Sequence, residues 1–364
     1  RSLLRNNKVD YISGHASLID SNTLEVESNS VTRVVSKNII LATGARPKAI
    51  PDLDIDGETI ITSREALDLK EVPSSITIIG GGATGVEFAY LYRTYGASVT
   101  IVEIMPRLLP NEDEEISAEL HRSFTKQGIT TILDARVINV NRTSCGVDLI
   151  VNSPNGKTTI TSQTILIAAG LEGNTESIGL SNAGINMNET FIQINEWMQT
   201  TAPNIYAVGD VTGKMPLAHV ASAQAILTVE TIAGMESPLL EYNKLPRATY
   251  CSPQVTSFGY TETQARNENL DIAVGRFPLR ANGKALAMAE SEGLVKVIAD
   301  NKTGAILGAH LIGPEVTEIL PEIMATQLLK GTTKELAWLV HSHPSLSETV
   351  KEAAMAVFDQ SIHT

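Results

Sequence analysis

Near the C-terminus, His341-Ser342-His343-Pro344-Ser345-Leu346-Ser347-Glu348 places two imidazoles and a carboxylate in one short turn. Proline fixes its own φ and keeps His343 out of the helical region. Ser345 or Ser347 is then expected to cap a helix that Glu348 opens. A histidine held by a carboxylate through one ring nitrogen keeps the other free for a substrate, and the carboxylate stabilises the imidazolium that forms. General acid-base help of this kind is worth roughly 10²–10⁴ in rate. His343 and Glu348 are therefore the candidate proton-transfer pair. The same residues also suit an ordinary helix start with incidental histidines, so the rest of the chain has to decide. A metal site on His341 and His343 has little support, because zinc usually takes at least three protein ligands and no Cys/His cluster lies nearby.

The second chemical pattern starts at Ile76. A β-branched run, Ile76-Thr77-Ile78-Ile79, leads into Gly80-Gly81-Gly82-Ala83-Thr84-Gly85, then a helical stretch from Val86 to about Tyr95 closed by Gly96, then Ser98 to Val102 and Glu103. This is a βαβ unit with G-x-G-x-x-G spacing at Gly80, Gly82 and Gly85 and an acid 18 residues after the last glycine. The first glycine makes the tight turn, the second lets backbone approach a pyrophosphate, and the third lets helix and strand pack closely. The helix N-terminus then faces the phosphates with its partial positive charge. Glu103 can accept both ribose hydroxyls of NAD, whereas the extra phosphate of NADP would meet like charge; NAD is the expected cofactor.

These patterns need elements to hold them. The acidic run Glu112 to Glu115 opens a helix ending near Gln127 and reads as a solvated first turn. Short strands are expected over 129–133, 135–142 and 147–151, with a turn at Asn155-Gly156, followed by a buried strand from Thr164 into Gly170. That strand has an echo at Asn38 to Pro47, which implies two related nucleotide-binding units. Ile205-Tyr206-Ala207-Val208-Gly209-Asp210 marks another strand ending in an acid, before a long apolar helix from about Leu217 to Ile232. Beyond Pro238 the pattern becomes mostly antiparallel strands followed by two helices. The first residues run into a strand-like segment, and a start at Arg1 implies a fragment, a processed form or a partial record.

With 364 residues and 43% hydrophobic content the chain can build two or three full cores. A net charge of −13 argues against nucleic acid or an anionic membrane as partner. No apolar run reaches the roughly 18 residues of a bilayer span, and the first residues show no signal-peptide pattern. Cys145 and Cys251 lie far apart, outside any C-x-x-C pair, and read as small core residues.

In this order, Leu41 to Pro47, Gly80 to Glu87 with Glu103, Tyr206 to Asp210, Leu217-Ala218-His219, Gly308 to Glu315 and His343 to Glu348 resemble the flavin-dependent pyridine nucleotide-disulfide oxidoreductases over essentially the whole chain. The closest likeness is to their dihydrolipoamide-oxidising branch. The resemblance implies an α/β fold of tandem FAD- and NAD-binding Rossmann-like domains plus a C-terminal α+β dimerisation domain. Its boundaries would be 1–70 for a partial FAD domain, 71–190 for the NAD domain, 191–240 for the return to the FAD domain and 241–364 for the interface domain. It implies FAD on Ala16, Thr43, Gly44, Ala45, Asp210, Leu217, Ala218 and His219. NAD would lie on Gly80, Gly81, Gly82, Ala83, Thr84 and Gly85, with Glu87 near the nicotinamide, Glu103 on the ribose, and Val137 and Gly170 lining the site. His343 and Glu348 would serve the other subunit of a homodimer, accepting a thiol proton while electrons pass through a disulfide and flavin to NAD. The implied partners are lipoyl domains of 2-oxo acid dehydrogenase or glycine cleavage complexes, in the cytoplasm or, in a eukaryote, the mitochondrial matrix.

The sequence departs from that pattern in three places. The family's FAD glycine loop and its C-x4-C redox pair are not in it, so the chain as given is expected not to turn over dihydrolipoamide. Leu171-Glu172-Gly173-Asn174 replaces an Arg- and Pro-bearing continuation, and Cys251 stands where threonine is common, a packing change. Glutathione reductase is a rival that Glu103 disfavours through its preference for NADP; mercuric reductase would want a further C-terminal cysteine pair. An inactive NAD-binding dimerisation protein is the alternative of a different class.

Overall fold

The computed structural model describes residues 1–363 apart from Asn29, Asp52, Ser144 and Cys145; the reading of Cys145 as a core residue lies outside the described residues. The chain divides into two compact units, 1–46 with 171–242, and 47–170 with 243–364.

The first stretch begins with helix α1 (Ser2–Asn6), where a strand was expected; none of its residues is buried, and the Asn7 amide closes it on the Leu3 carbonyl at 2.9 Å. An antiparallel meander follows, β1 (His15–Leu18), β2 (Thr23–Glu27) and β3 (Val31–Val35), then β4 (Ile39–Leu41) and β5 (Ala45–Pro47).

Next, β6 (Ile60–Thr62), helix α2 (Ser63–Ala66), β7 (Ser75–Ile79), helix α3 (Ala83–Thr94), β8 (Ser98–Val102), helix α4 (Glu114–Lys126) and β9 (Thr130–Ile132) lead into the antiparallel β10 (Arg136–Thr143), β11 (Gly146–Ser153) and β12 (Gly156–Ser162). Strand β13 (Thr164–Ile167) then inserts between β6 and β7, giving the five-stranded parallel order β6-β13-β7-β8-β9. Parallel strands covered on both faces read as continuous apolar runs, and Ile76, Ile78, Ile101, Ile165 and Leu166 are all at most 1% exposed.

The return segment holds β14 (Leu171–Gly173), β15 (Met187–Asn188), β16 (Phe191–Ile192), β17 (Ile205–Ala207) and helix α5 (Ala218–Ile232). Strand β17 pairs in parallel with β4, and Leu18, Ile39, Leu41, Ile178, Leu180 and Ile205 form that unit's core.

The last stretch contains β18 (Arg247–Thr249), β19 (Gln254–Gly259), helix α6 (Glu262–Asn267), β20 (Ile272–Pro278), helix α7 (Gly283–Ala287), β21 (Leu294–Asp300) and β22 (Ile306–Gly313). Its sheet is antiparallel, in the order β18-β19-β22-β21-β20. Three helices close the chain where two were expected: α8 (Val316–Leu328), α9 (Thr333–Trp338) and α10 (Glu348–Ala356).

Two further expectations change. The boundaries at 70 and 190 move to 46/47 and 170/171, because β6 completes the edge of the parallel sheet while Ile178, Leu180 and Ile185 bury against Leu18 and Leu41. Residues 243–364 also form one unit with 47–170, sharing a core in which Cys251, Val255 and Ile312 meet Ile76, Val99 and Phe124. The acidic run is only half a solvated turn: Glu114 and Glu115 are exposed as expected, whereas Glu112 and Asp113 are not. Glu112 is 6% and Asp113 2% exposed, because Asp113 both caps α4 and meets the buried Lys296 ammonium at 2.8 Å. No helix among the described residues is long and apolar enough to cross a membrane.

Candidate functional site

The His343 to Glu348 turn sits between α9 and α10. His343 Nδ1 lies 3.0 Å from Glu348 Oε1 and 3.3 Å from Oε2. A carboxylate only accepts, so Nδ1 carries the hydrogen and Nε2 presents a lone pair. The His343 side chain is 78% exposed and that of Glu348 29%. Burial pushes the Glu348 carboxyl up, but the Ser345 N–H at 2.9 Å and His343 outweigh it and hold the group below its ordinary range. Neither serine caps α10 as expected: the Ser347 side chain makes no cap bond and the Ser345 hydroxyl is buried without a partner among the described residues. Glu348 itself reaches back to the Ser345 N–H, so the carboxylate that orients His343 also fixes the turn.

The glycine loop follows β7. Gly80 has φ +115°, and a Cβ there would come within 2.3 Å of the Ala168 carbonyl; one at Gly85 would lie 1.9 Å from the Gly80 carbonyl. At Gly82 a Cβ would meet nothing within 4 Å, so that side of the loop is open. Gly82 caps α3 with no side chain on the N-terminal N–H groups, and Ala83 and Thr84 are exposed. An uncapped helix start with an open glycine fits a dinucleotide pyrophosphate. Glu103 is 6% exposed; one carboxylate oxygen accepts the Gly81 N–H and the other the Met105 N–H at 2.7 Å. A carboxylate has about four acceptor positions, so ribose hydroxyls can still be received there. Arg107 turns to Glu114 at 3.3 Å and to the Pro110 carbonyl at 3.1 Å.

Glu87, one turn into α3, accepts the Tyr250 N–H at 2.7 Å, and burial raises its carboxyl against that bond. Cys251 beside it is 4% exposed, its Sγ donates to the Pro253 carbonyl at 3.1 Å, and burial with the Glu87 charge pushes the thiol up to about 12. Such a thiol is inert, as a packing residue should be. Val137 pairs with Val151 and packs on the core beneath Ile79 and Val102. Gly170, at φ +105°, accepts the Lys48 N–H at 3.0 Å.

In the other unit, Ala16 and Thr43 line one depression of about 350 Å³ together with Leu41 and Ile178. Thr43 and Asp210 lie just beyond the C-terminal ends of the paired parallel strands β4 and β17, where open α/β sheets bind their ligands. Gly209, at φ +76°, would place a Cβ 3.4 Å from Ala221, so Asp210 adjoins the first turns of α5, which Leu217 opens with no side-chain cap. Ala218 and His219 are exposed there. The set fits part of an FAD site.

Sequence reasoning missed Asn174. Its amide donates to the Thr43 carbonyl at 2.9 Å, its own carbonyl accepts the Thr43 hydroxyl at 2.7 Å, and its N–H donates to the Gly44 carbonyl at 3.0 Å. Arg46 next to it pairs with Glu172 at 2.9 Å and Glu176 at 2.6 Å. The departure at 171–174 therefore supplies a carboxylate to Arg46, a signal visible only as the unusual Glu172.

Residues 1–225 match the Pyridine nucleotide-disulphide oxidoreductase family and residues 245–354 its dimerisation domain, so the chain works as a homodimer. A dihydrolipoyl dehydrogenase of Chlorobaculum tepidum is 44% identical over 97% of this chain and 76% of its own length. One from Mycobacterium leprae is 40% identical over 96% and 76%. Among solved structures, LpdA of Mycobacterium tuberculosis superposes with a TM-score of 0.90 at 28% identity, covering 97% of this chain and 78% of its own. The HOCl-induced flavoprotein disulfide reductase RclA of Escherichia coli gives 0.85 at 29% identity, covering 97% and 82%. The chain belongs to the pyridine nucleotide-disulphide oxidoreductase family, enzymes that work with FAD and NAD.

Proposed function

We propose that the chain serves NAD-dependent dihydrolipoyl dehydrogenase chemistry, the oxidation of protein-bound dihydrolipoamide to lipoamide, together with a C-x4-C redox pair and an FAD glycine loop that this sequence does not itself contain. The observation that carries this reading is His343 Nδ1 at 3.0 Å from Glu348, with the other ring nitrogen open on an exposed side chain. FAD, when bound, would carry to NAD the electron pair that the dithiol gives up through that redox pair. His343 takes the thiol proton at Nε2, and Glu348 holds the imidazolium that results. Its placement in a dimerisation domain supports action in the partner subunit's site. Gly80 to Gly85 would seat the NAD pyrophosphate, Glu103 the ribose, and Glu87 the nicotinamide end. Thr43, Asp210 and the start of α5 would hold part of FAD, and Ala16 would line the same region. Lipoyl domains of 2-oxo acid dehydrogenase or glycine cleavage complexes are the proposed partners, and the cytoplasm or the mitochondrial matrix the compartment.

In an FAD-loaded homodimer that includes that loop and redox pair, His343→Gln should lower dihydrolipoamide-dependent NAD reduction by roughly 10²–10⁴ while NAD affinity stays within about twofold. Unchanged turnover, or an equal loss of NAD binding, would remove His343 from this role.

A further inference from the structure

His341 takes no part in the proposed proton transfer, yet the chain turns it inward. Val340 before it is 87% exposed and Ser342 after it is also exposed, whereas the His341 side chain is 6% exposed. Its Nε2 lies 2.7 Å from Glu322 Oε1 on α8, so the carboxylate fixes the hydrogen on Nε2. Nδ1 is then a buried acceptor without a partner among the described residues. Leaving a buried nitrogen unpaired costs stability, and an imidazole is kept there all the same.

The stretch from Leu339 to Ser347 has no helix or strand of its own. Behind His343, the Asn282 amide holds the Ser345 carbonyl at 3.0 Å and Glu348 holds the Ser345 N–H. Ahead of His343, the His341–Glu322 contact anchors the turn to α8.

We infer that His341, tied to Glu322, is a positioning residue that sets where His343 presents its free nitrogen, making the His-x-His segment two His–Glu pairs with one buried and one exposed. This rests on His343 being the proton acceptor. A group misplaced by an ångström can cost roughly 10²-fold in rate, so the tether should register in turnover.

The test is a cycle in the same FAD-loaded homodimer with its redox pair present. His341→Ala should lower kcat by about tenfold or more with KM for NAD unchanged. Glu322→Ala should lose a similar amount, and the double variant no more than either, because both remove one contact. His341→Gln keeps an N–H in reach of Glu322 and should recover to within about threefold of the parent. Additive losses, a harmless His341→Ala, or a Gln variant as poor as Ala would overturn the inference. Imidazole ¹⁵N shifts read it without turnover: His341 should be protonated at Nε2 alone, and His343 should lose its fixed Nδ1–H tautomer in His341→Ala. An unchanged His343 spectrum would overturn it too. If His343→Gln itself leaves kcat unchanged, the underlying function fails instead, and the ¹⁵N result still judges the tether.

Discussion

Glu103 shows how much one side chain carries in this chain. Its two oxygens take the N–H groups of Gly81 and Met105, so the residue at the end of β8 shapes the loop after β7 before any nucleotide arrives. An NADP phosphate placed about 4 Å from that carboxylate would meet a repulsion of about 4 kcal/mol at an effective dielectric near 20. Glu103→Ala should therefore weaken NADH binding by about tenfold and narrow the preference over NADPH, as read by fluorescence titration of both. A preference equal to the parent's would argue that Glu103 serves only the loop. Glu103 was readable from its place after the glycine pattern, whereas its grip on Gly81 was not. That contact depends on the side chain folding back under the loop, where Gly81 leaves room only because a Cβ would come within 3.1 Å of it.

The β7–α3 element separates two demands that one glycine pattern meets. A Cβ at Gly85 would collide with backbone, 1.9 Å from the Gly80 carbonyl, whereas one at Gly82 would stand in open space. Gly85→Ala should then lower stability by about 1–3 kcal/mol through overpacking. Gly82→Ala should melt like the parent but bind NADH at least about tenfold more weakly, since its Cβ occupies the approach of the pyrophosphate. Melting curves and NADH titrations of both variants decide it; a Gly82→Ala protein with parental affinity would place the phosphates elsewhere. The element was legible because its spacing is local. The start of α4 was not: Asp113 is buried against Lys296, 183 positions beyond it, and the exposed Glu115 pairs with Lys296 and Arg276. Four adjacent acids resemble a solvated helix start until a distant strand supplies their cations.

That buried polar layer governs how the molecule should respond to acid. Lys296, 1% exposed on β21, touches Asp113, Glu115 and Glu262 at 2.8, 2.6 and 2.9 Å, and removing one partner of such a group is costly. Beside it in register, fully buried His310 on β22 donates from Nε2 to the Tyr260 carbonyl at 2.8 Å, with Glu112, Asp113 and Lys296 facing its ring. Nothing in the sequence around Ala309-His310-Leu311 announces this; the residue reads as part of a strand, and only the sheet and α4 together seal it. Burial lowers the His310 pKa, and the nearby carboxylates do not reverse this. A histidine whose folded pKa is depressed takes up its proton first in the unfolded chain, so its contribution to stability is lost as pH falls below about 6.5. For Glu262, burial is outweighed by Lys296 and Arg266, which hold its carboxyl at about 2. Its contribution is present above its unfolded value near 4.5 and is lost only as pH falls toward 2. Acid loss should therefore come in two stages, the first sloping by up to about 1.4 kcal/mol per pH unit for one proton. His310→Gln keeps a donor for Tyr260 but cannot titrate. Its unfolding midpoint should stay flat between pH 7 and 5, where the parent's falls, and then follow the parent below pH 4. Equal slopes for the two proteins between pH 6.5 and 5 would mean that protonation of His310 is not what the first stage reads.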